Sequence, residues 1–365
     1  MKLQTIIVLF ITLTLVSCTE QTLEVKADTT LLAFALSPHG DKLVILDNAG
    51  VYIYDLKSKN RLEFIKFDNN KVSNRFGAVA FDPTGERIAL FSEFTGKSID
   101  IWEIQSKKHI KAIEPPNGNT VMEIEFSPNG QSLLVHSQGS YSNSPEARCA
   151  ERGVRTLTLY DVEKETKLFE TSLCDFFSFL FSFPNNSSLF FGYQTQMAIQ
   201  RKFEKSEFVI SIVDSNNGQL VSTDKYDSDK YEGQIYDVSP DGKIYLIATT
   251  MDEQYNFATL LLDSVSEKEI KVVAGHIEIF NNIDNFLVND VDNNKVYFLK
   301  NNEIKCALEG HYPSYPLKRQ NMSTNQEILA VGQWFSDREY PEIQVWDISS
   351  CKKIAEFWFD QGSMK

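Results

Sequence analysis

Positive charge is scarce in this chain. Its 365 residues carry 36 Lys and Arg against 50 Asp and Glu, a formal net charge of −14. The first 17 residues hold Lys2 and no acid, so their removal leaves −15. Such a chain is repelled by nucleic acid and by anionic lipid, and no basic run overrides that. Catalytic signatures are missing too. There is no Gly-x-Ser-x-Gly, His-Glu-x-x-His, phosphate-loop or dinucleotide fingerprint. Histidine is limited to five residues. His39 falls in a turn, His276 and His311 at unit junctions, and His109 and His136 stand alone in strands, where a structural role is expected. Asp290-x-Asp292-x-Asn294 lacks the glycine and the distant bidentate Glu of a calcium loop and reads as a polar hairpin. Cysteine is limited to five residues, none in a zinc-binding spacing. No cofactor or metal is expected.

What is present is repetition. Val121 to Phe126 alternates apolar and polar residues, Ser127-Pro128-Asn129-Gly130 turns, and two further apolar runs follow, the second ending Tyr160-Asp161. Period-two alternation broken by Pro and Gly means strands and hairpins. Equivalent turns begin at Ser37, Asp82, Phe183 and Ser239, with weaker copies at Asn282 and Met322. Their prolines, Pro38, Pro83, Pro128, Pro184 and Pro240, are spaced 45, 45, 56 and 56 residues apart. The third run of most units ends in an acid: Asp55, Glu103, Asp161, Asp214, Asp263 and Asp347. A unit of about 47 residues with four strands is the size of a propeller blade.

The predicted fold is therefore all-β, a seven-bladed β-propeller of four-stranded antiparallel blades over residues 31–360. The units run Leu31 to Phe67, Phe76 to Ile113, Val121 to Leu173, Phe176 to Tyr226, Gly233 to Ala274, His276 to Leu308 and Tyr315 to Phe359. Both ends read as complete blades, which leaves open how the ring closes. The Phe-rich stretch Phe176 to Phe191 reads as inner strands rather than a ligand box. The units resemble bacterial WD-repeat propellers in the Ser-Pro-Asp-Gly turn, in Val345-Trp346-Asp347 and in the Gly275-His276 and Gly310-His311 pairs. Most units lack the full signature, so the resemblance implies the propeller class more firmly than the strict repeat family.

The N-terminus has its own logic. Lys2 precedes an apolar run of 11 residues, Ile6 to Val16. A bilayer needs about 20, so this run suits an export signal and not a membrane span. Leu15-Val16-Ser17-Cys18 resembles the lipobox of bacterial lipoproteins. That resemblance implies cleavage of residues 1–17 and lipidation of Cys18, with enough acyl chains for lasting attachment to a membrane. Thr19, not Asp, follows the cysteine, which favours the outer membrane under the enteric sorting rule. Residues 18–30 read as a tether of at most about 40 Å, although Leu23 to Lys26 could add a strand to the body.

Loop length is uneven. Turns between first and second strands, and between third and fourth, are short. Connections between second and third strands are long at Gln138 to Gly153, Tyr193 to Ser206, Thr250 to Asn256 and Gly332 to Pro341. So are the unit junctions at Glu114 to Thr120, Lys225 to Glu232 and Gly310 to Pro316. In a propeller these long segments share one face, and functional residues concentrate on loops held by a rigid frame. The aromatic and Arg residues there, Trp334, Phe335, Arg338, Tyr340, Tyr312 and Tyr315, are of the types that anchor protein interfaces. The expected function is a lipid-anchored, non-enzymatic envelope scaffold that binds a protein or peptide. The alternative is a metal-dependent hydrolase or lactonase using inner-strand acids Glu123, Glu125, Asp175 and Asp237. Cys149 and Cys174 fall on the elaborated face and are predicted to form a disulfide worth roughly 3 kcal/mol. Cys306, in the last strand of unit six, and Cys351, at a turn of unit seven, look too distant to pair, and their pairing is left open.

Overall fold

A computed structural model describes residues 22–27, 31–66, 77–92, 98–115, 120–139, 155–173, 176–185, 188–199, 202–227, 234–239, 243–250, 257–266, 268–282, 285–290, 295–301, 303–308, 322–325, 327–332 and 343–359. Every regular element among them is a strand. No helix in the described residues is long and apolar enough to cross a membrane.

The first strand is β1 (Leu23–Ala27). Six sheets of four consecutive strands follow, each paired in chain order. They are β2 (Leu31–Leu36), β3 (Lys42–Asp47), β4 (Gly50–Asp55), β5 (Asn60–Lys66); β6 (Gly77–Phe81), β7 (Arg87–Ser92), β8 (Ile99–Glu103), β9 (Lys108–Ile113); β10 (Thr120–Phe126), β11 (Ser132–Gln138), β12 (Arg155–Asp161), β13 (Thr166–Leu173); β14 (Phe176–Asn185), β15 (Ser188–Ile199), β16 (Lys202–Asp214), β17 (Leu220–Asp227); β18 (Gln234–Val238), β19 (Ile244–Thr250), β20 (Phe257–Asp263), β21 (Glu269–Ala274); and β22 (His276–Asn282), β23 (Asn285–Asp290), β24 (Lys295–Lys300), β25 (Glu303–Leu308). The last strands are β26 (Ile328–Gly332), β27 (Ile343–Asp347) and β28 (Lys352–Phe359). Below, the strands of each unit are A to D, from the inside outward.

The final sheet corrects the expectation that both chain ends hold self-contained blades. Its order is β1-β28-β27-β26, so it is composite. The stretch expected to supply its strand A lies outside the described residues, apart from a bridge between Met322 and Leu329. The N-terminal β1 pairs in parallel with β28, Leu23 opposite Ala355 through Ala27 opposite Phe359. Leu23 to Lys26 is thus an added strand of the body. The physical reason is edge protection: β28 would otherwise present a row of unpaired backbone groups, and β1 covers it.

The repeated turns have one chemistry. The first residue of the A–B turn is buried and accepts a hydrogen bond from the backbone five residues on. Lys42 N–H reaches Ser37 Oγ, Ser132 N–H reaches Ser127 Oγ, Ile244 N–H reaches Ser239 Oγ and Ile328 N–H reaches Ser323 Oγ, all at 2.9 Å. Asp82 Oδ1 takes the same role toward Arg87 N–H at 2.9 Å. The weak copy at Ser323 is therefore a full copy in structure. Gly40, Gly85 and Gly130 sit at φ 71°, 69° and 69°, where a side chain is disfavoured.

The acid that ends strand C caps the C–D turn. Asp55, Asp161, Asp214, Asp263 and Asp347 each accept one or two backbone N–H groups two or three residues ahead, as in Asx turns. Burial pushes the Asp161 carboxyl up, but its hydrogen bonds with Lys164 outweigh this and hold it below the ordinary value. The recurring acids are structural. The C–D turn is also tied to the A–B turn beside it: Leu56 N–H to Asp41 O at 2.8 Å, Val162 N–H to Gln131 O at 2.9 Å and Ile348 N–H to Glu327 O at 2.7 Å.

Successive sheets pack face to face through apolar clusters. Leu46, Val51 and Ile53 meet Val79, Ile88 and Leu90 between the first two sheets. Equivalent clusters join the second to the third, the third to the fourth, the fifth to the sixth and the sixth to the composite sheet. The composite sheet packs on the first through Ala330, Ile343, Val345 and Phe357 against Leu36, Leu43 and Ile45. Each such side chain contributes about 1.5–3 kcal/mol on burial. The Thr324 N–H and hydroxyl both donate to Pro38 O, at 2.8 and 2.9 Å, which joins the last A–B turn to the first. The chain is an all-β propeller.

Candidate binding face

Strand direction decides what the face contains. Strand D runs from the C–D turn toward the next unit, so B–C connections and unit junctions lie together, opposite the hydrogen-bonded A–B and C–D turns. The roots of the long B–C connections are paired strand ends. Gln138 pairs with Arg155, Thr250 with Phe257 and Gly332 with Ile343. Residues 333–342, which include Trp334, Phe335, Arg338 and Tyr340, thus leave and re-enter one antiparallel pair. Tyr312 and Tyr315 belong to the junction after β25, whose last residue Leu308 shares an apolar cluster with Val331. The six aromatic and Arg residues themselves lie outside the described residues. So do Cys18, Cys149, Cys174 and Asp175.

One expected loop is not a loop. Tyr193 to Ser206 continues as a β-hairpin: Tyr193 pairs with Val209, and pairing persists to Ile199 opposite Lys202. Strand β14 stops pairing at Thr195 and β17 at Glu207. The remaining ribbon therefore projects past the four-stranded sheet. Residues 193–206 show neither clean period-two alternation nor a turn-forming Gly or Pro, so this hairpin carries no local signal.

The described short connections on this face are tightly built. Asp47, fully buried, accepts Ala49 N–H at 2.7 Å and Gly50 N–H at 2.9 Å. Burial, with Asp47 beside it, pushes the Tyr52 phenol up to about 12, and the Arg61 guanidinium lies 5.8 Å from the Tyr52 ring centre. At the root of the Trp334 loop, Phe34 presses on Gly332. A Cβ there would sit 2.2 Å from the Phe34 ring. The first sheet therefore braces the base of that loop.

The residues considered for chemistry fall on several strands. Glu123, Glu125 and Asp237 lie half-buried on strands A of two sheets. His109 instead meets Asp100 at 3.0 Å on an outer strand, with its ring edge-on to Trp102. Among the described residues, no three His, Cys, Asp or Glu come together as metal ligands. Trp346, of the Trp-Asp pair, is buried and donates its indole N–H to Gln344 at 3.2 Å.

Cysteine chemistry settles an open pairing. Cys306 and Cys351 form a disulfide with 5.3 Å between Cα atoms. The reason is a repeated inter-unit contact. The third residue after the start of strand D meets the left-handed residue of the next unit's C–D turn. Glu63 pairs with Lys107 at 2.6 Å, and Lys111 reaches Glu165 at 3.8 Å. Cys306 and Cys351 occupy the same two places. Lys107, Glu165 and Cys351 have φ 58°, 57° and 54°. Superposing the units by strand D would have found the bond.

No family model matches this chain, and no curated protein matches it. Solved structures do. Over 93% of this chain and 99% of the other, it superposes on "Kuenenia stuttgartiensis Hydrazine Synthase" with a TM-score of 0.52 at 16% identity. Over 87% of this chain and 94% of the other, it superposes on "Structure of U3-55K" with a TM-score of 0.51 at 11% identity. At such identities the likeness is one of fold, and it extends along nearly the whole length.

Proposed function

We propose that this protein is a lipid-anchored scaffold of the bacterial envelope, probing for no substrate and binding a protein or peptide through its B–C and junction face. Its seven sheets act as the blades of one ring, the last completed by β1. The observation that carries the reading is the unequal investment of chain in the two faces. On one, the described turns are short and many of their polar groups are engaged in capping bonds. On the other, the long connections hold Trp334, Phe335, Arg338, Tyr340, Tyr312 and Tyr315. Binding energy in such interfaces resides in a few aromatic and Arg anchors, and a braced loop root lowers the ordering cost. The anchor reading rests on the lipobox-like Leu15-Val16-Ser17-Cys18.

The test is photocrosslinking from position 334 in native membranes, followed by mass spectrometry. A discrete partner, lost with Trp334→Ala and Arg338→Ala but kept with substitutions at the A–B turns, supports the reading. Partner loss caused only by changes at the opposite face sinks it.

A further inference from the structure

We propose that the A–B/C–D turn face lies against the lipid bilayer, so that the anchor holds the long-loop face away from the membrane. This deepens the lipid-anchor reading and rests on it. The first observation is the direction of β1. It runs parallel to β28, which starts at the C–D turn of the composite sheet. Leu23, opposite Ala355, therefore lies nearer the turn face, and Ala27, opposite Phe359, at the loop-face end of β28. Thr22 confirms the placement: its hydroxyl donates to Lys353 O at 3.3 Å, just beyond that turn. Thr22 is four chain steps from Cys18, a span of at most about 14 Å. Because β1 is part of the sheet, the reach from its start to Cys18 is about a third of that expected from the sequence. The tether is anchored on the turn side, too short to pass around the sheet edge.

The second observation is independent. All eight exposed large hydrophobic residues among those described lie on C–D turns or strands D: Leu62, Ile110, Leu220, Val221, Val265, Ile270, Val272 and Ile304. Most sit at the turn end of the strand. Val265 is in a C–D turn and 88% exposed; Leu220 and Val221 open β17, and Ile304 is the second residue of β25. Six of the eight lie on three consecutive sheets, the fourth to the sixth, and Leu62 and Ile110 lie on the first and second. Exposed apolar groups at an acyl-anchored face gain by entering the lipid interface. The net charge of −14 opposes approach to an anionic surface. Affinity therefore comes from the acyl chains, and the apolar turns set the orientation.

The experiment uses the full-length protein purified from membranes and reconstituted in vesicles of phosphatidylethanolamine and phosphatidylglycerol. An environment-sensitive fluorescent amino acid replaces Val265 or, at a B–C turn on the opposite face, Asn48. A lipid-borne quencher should reduce the signal at 265 at least twofold more than at 48, and aqueous iodide should do the reverse. Introducing Leu220→Asp with Ile304→Asp should narrow the difference. Equal or reversed quenching overturns the orientation. Protection at 265 in cells but not in protein-free vesicles assigns the face to a protein and also overturns it. The mass of the N-terminal peptide separates the two ideas. Unacylated Cys18 removes the anchor and the orientation together, whereas acylated Cys18 with a water-exposed position 265 refutes the orientation alone.

Discussion

Replacing Cys306 and Cys351 together with Ala should destabilise the oxidised protein by up to about 4 kcal/mol. The bond closes a loop with a sequence separation of 45, and the chain-entropy relation gives about 13 cal/mol/K for that length. Native packing limits the loss from any other source: Cys306 is buried among Leu308, Leu329 and Val331, and Ala retains part of that contact. For a ring of about 330 residues unfolding as one unit the unfolding entropy is about 0.7 kcal/mol/K at the midpoint, so Tm should fall by up to about 6 °C. The measurement is thermal unfolding of oxidised wild type against the double variant, with intact mass confirming the bond. The ion pair between Glu63 and Lys107, at the equivalent place between the first and second sheets, is the internal control. Lys107 is 63% exposed, so Lys107→Ala should cost less than about 1 kcal/mol. Two free thiols in the protein exported to an oxidising compartment would refute the reasoning. So would a double variant no less stable than Lys107→Ala.

Four other outcomes are expected. Asp161→Ala removes the N–H caps of its turn and should cost about 1 kcal/mol by urea unfolding. Asp161 and Asp347 are held below their ordinary value in the fold, for Asp347 because hydrogen bonds from Ser349 and Ser350 outweigh burial. Stability from such groups is present above the unfolded value near 3.9 and lost as pH falls through the folded one, so a pH titration of Tm should show no change from them above about pH 5. Gly218→Ala should cost more than about 2 kcal/mol, because the residue sits at φ 74° and a Cβ would lie 2.1 Å from Leu168 O; wild-type stability by urea melt would contradict the packing. Leu23→Ser with Val25→Ser, which removes the apolar contacts of β1 with the composite sheet, should lower stability by about 2–4 kcal/mol and raise hydrogen exchange along β28.

Much of the ring was legible because its signals are local. Ser-Pro-Asn-Gly after an alternating run encodes a hairpin whatever surrounds it, and the buried Ser127 and the φ of Gly130 bear that out. The acid at the end of strand C was visible as a pattern, but its purpose was not. Only the hydrogen bonds of Asp55, Asp161 and Asp263 identify it as a turn cap. The hairpin at 193–206 was misread because it lacks turn residues, and its strands find their partners through backbone pairing alone. The candidate site was legible only as residue types in long connections. The structure contributes their roots, such as Gly332 under Phe34.

By itself the sequence determined that the chain is a series of β-rich units closed by tight turns, since turn chemistry and period-two alternation act within a few residues. The tertiary structure alone decided what joins distant parts. The parallel pairing of β1 with β28, the bond between Cys306 and Cys351, and the bonds from Thr324 to Pro38 O each connect segments far apart in the chain. Such contacts depend on how sheets stack around an axis, and no local pattern of residues records that stacking.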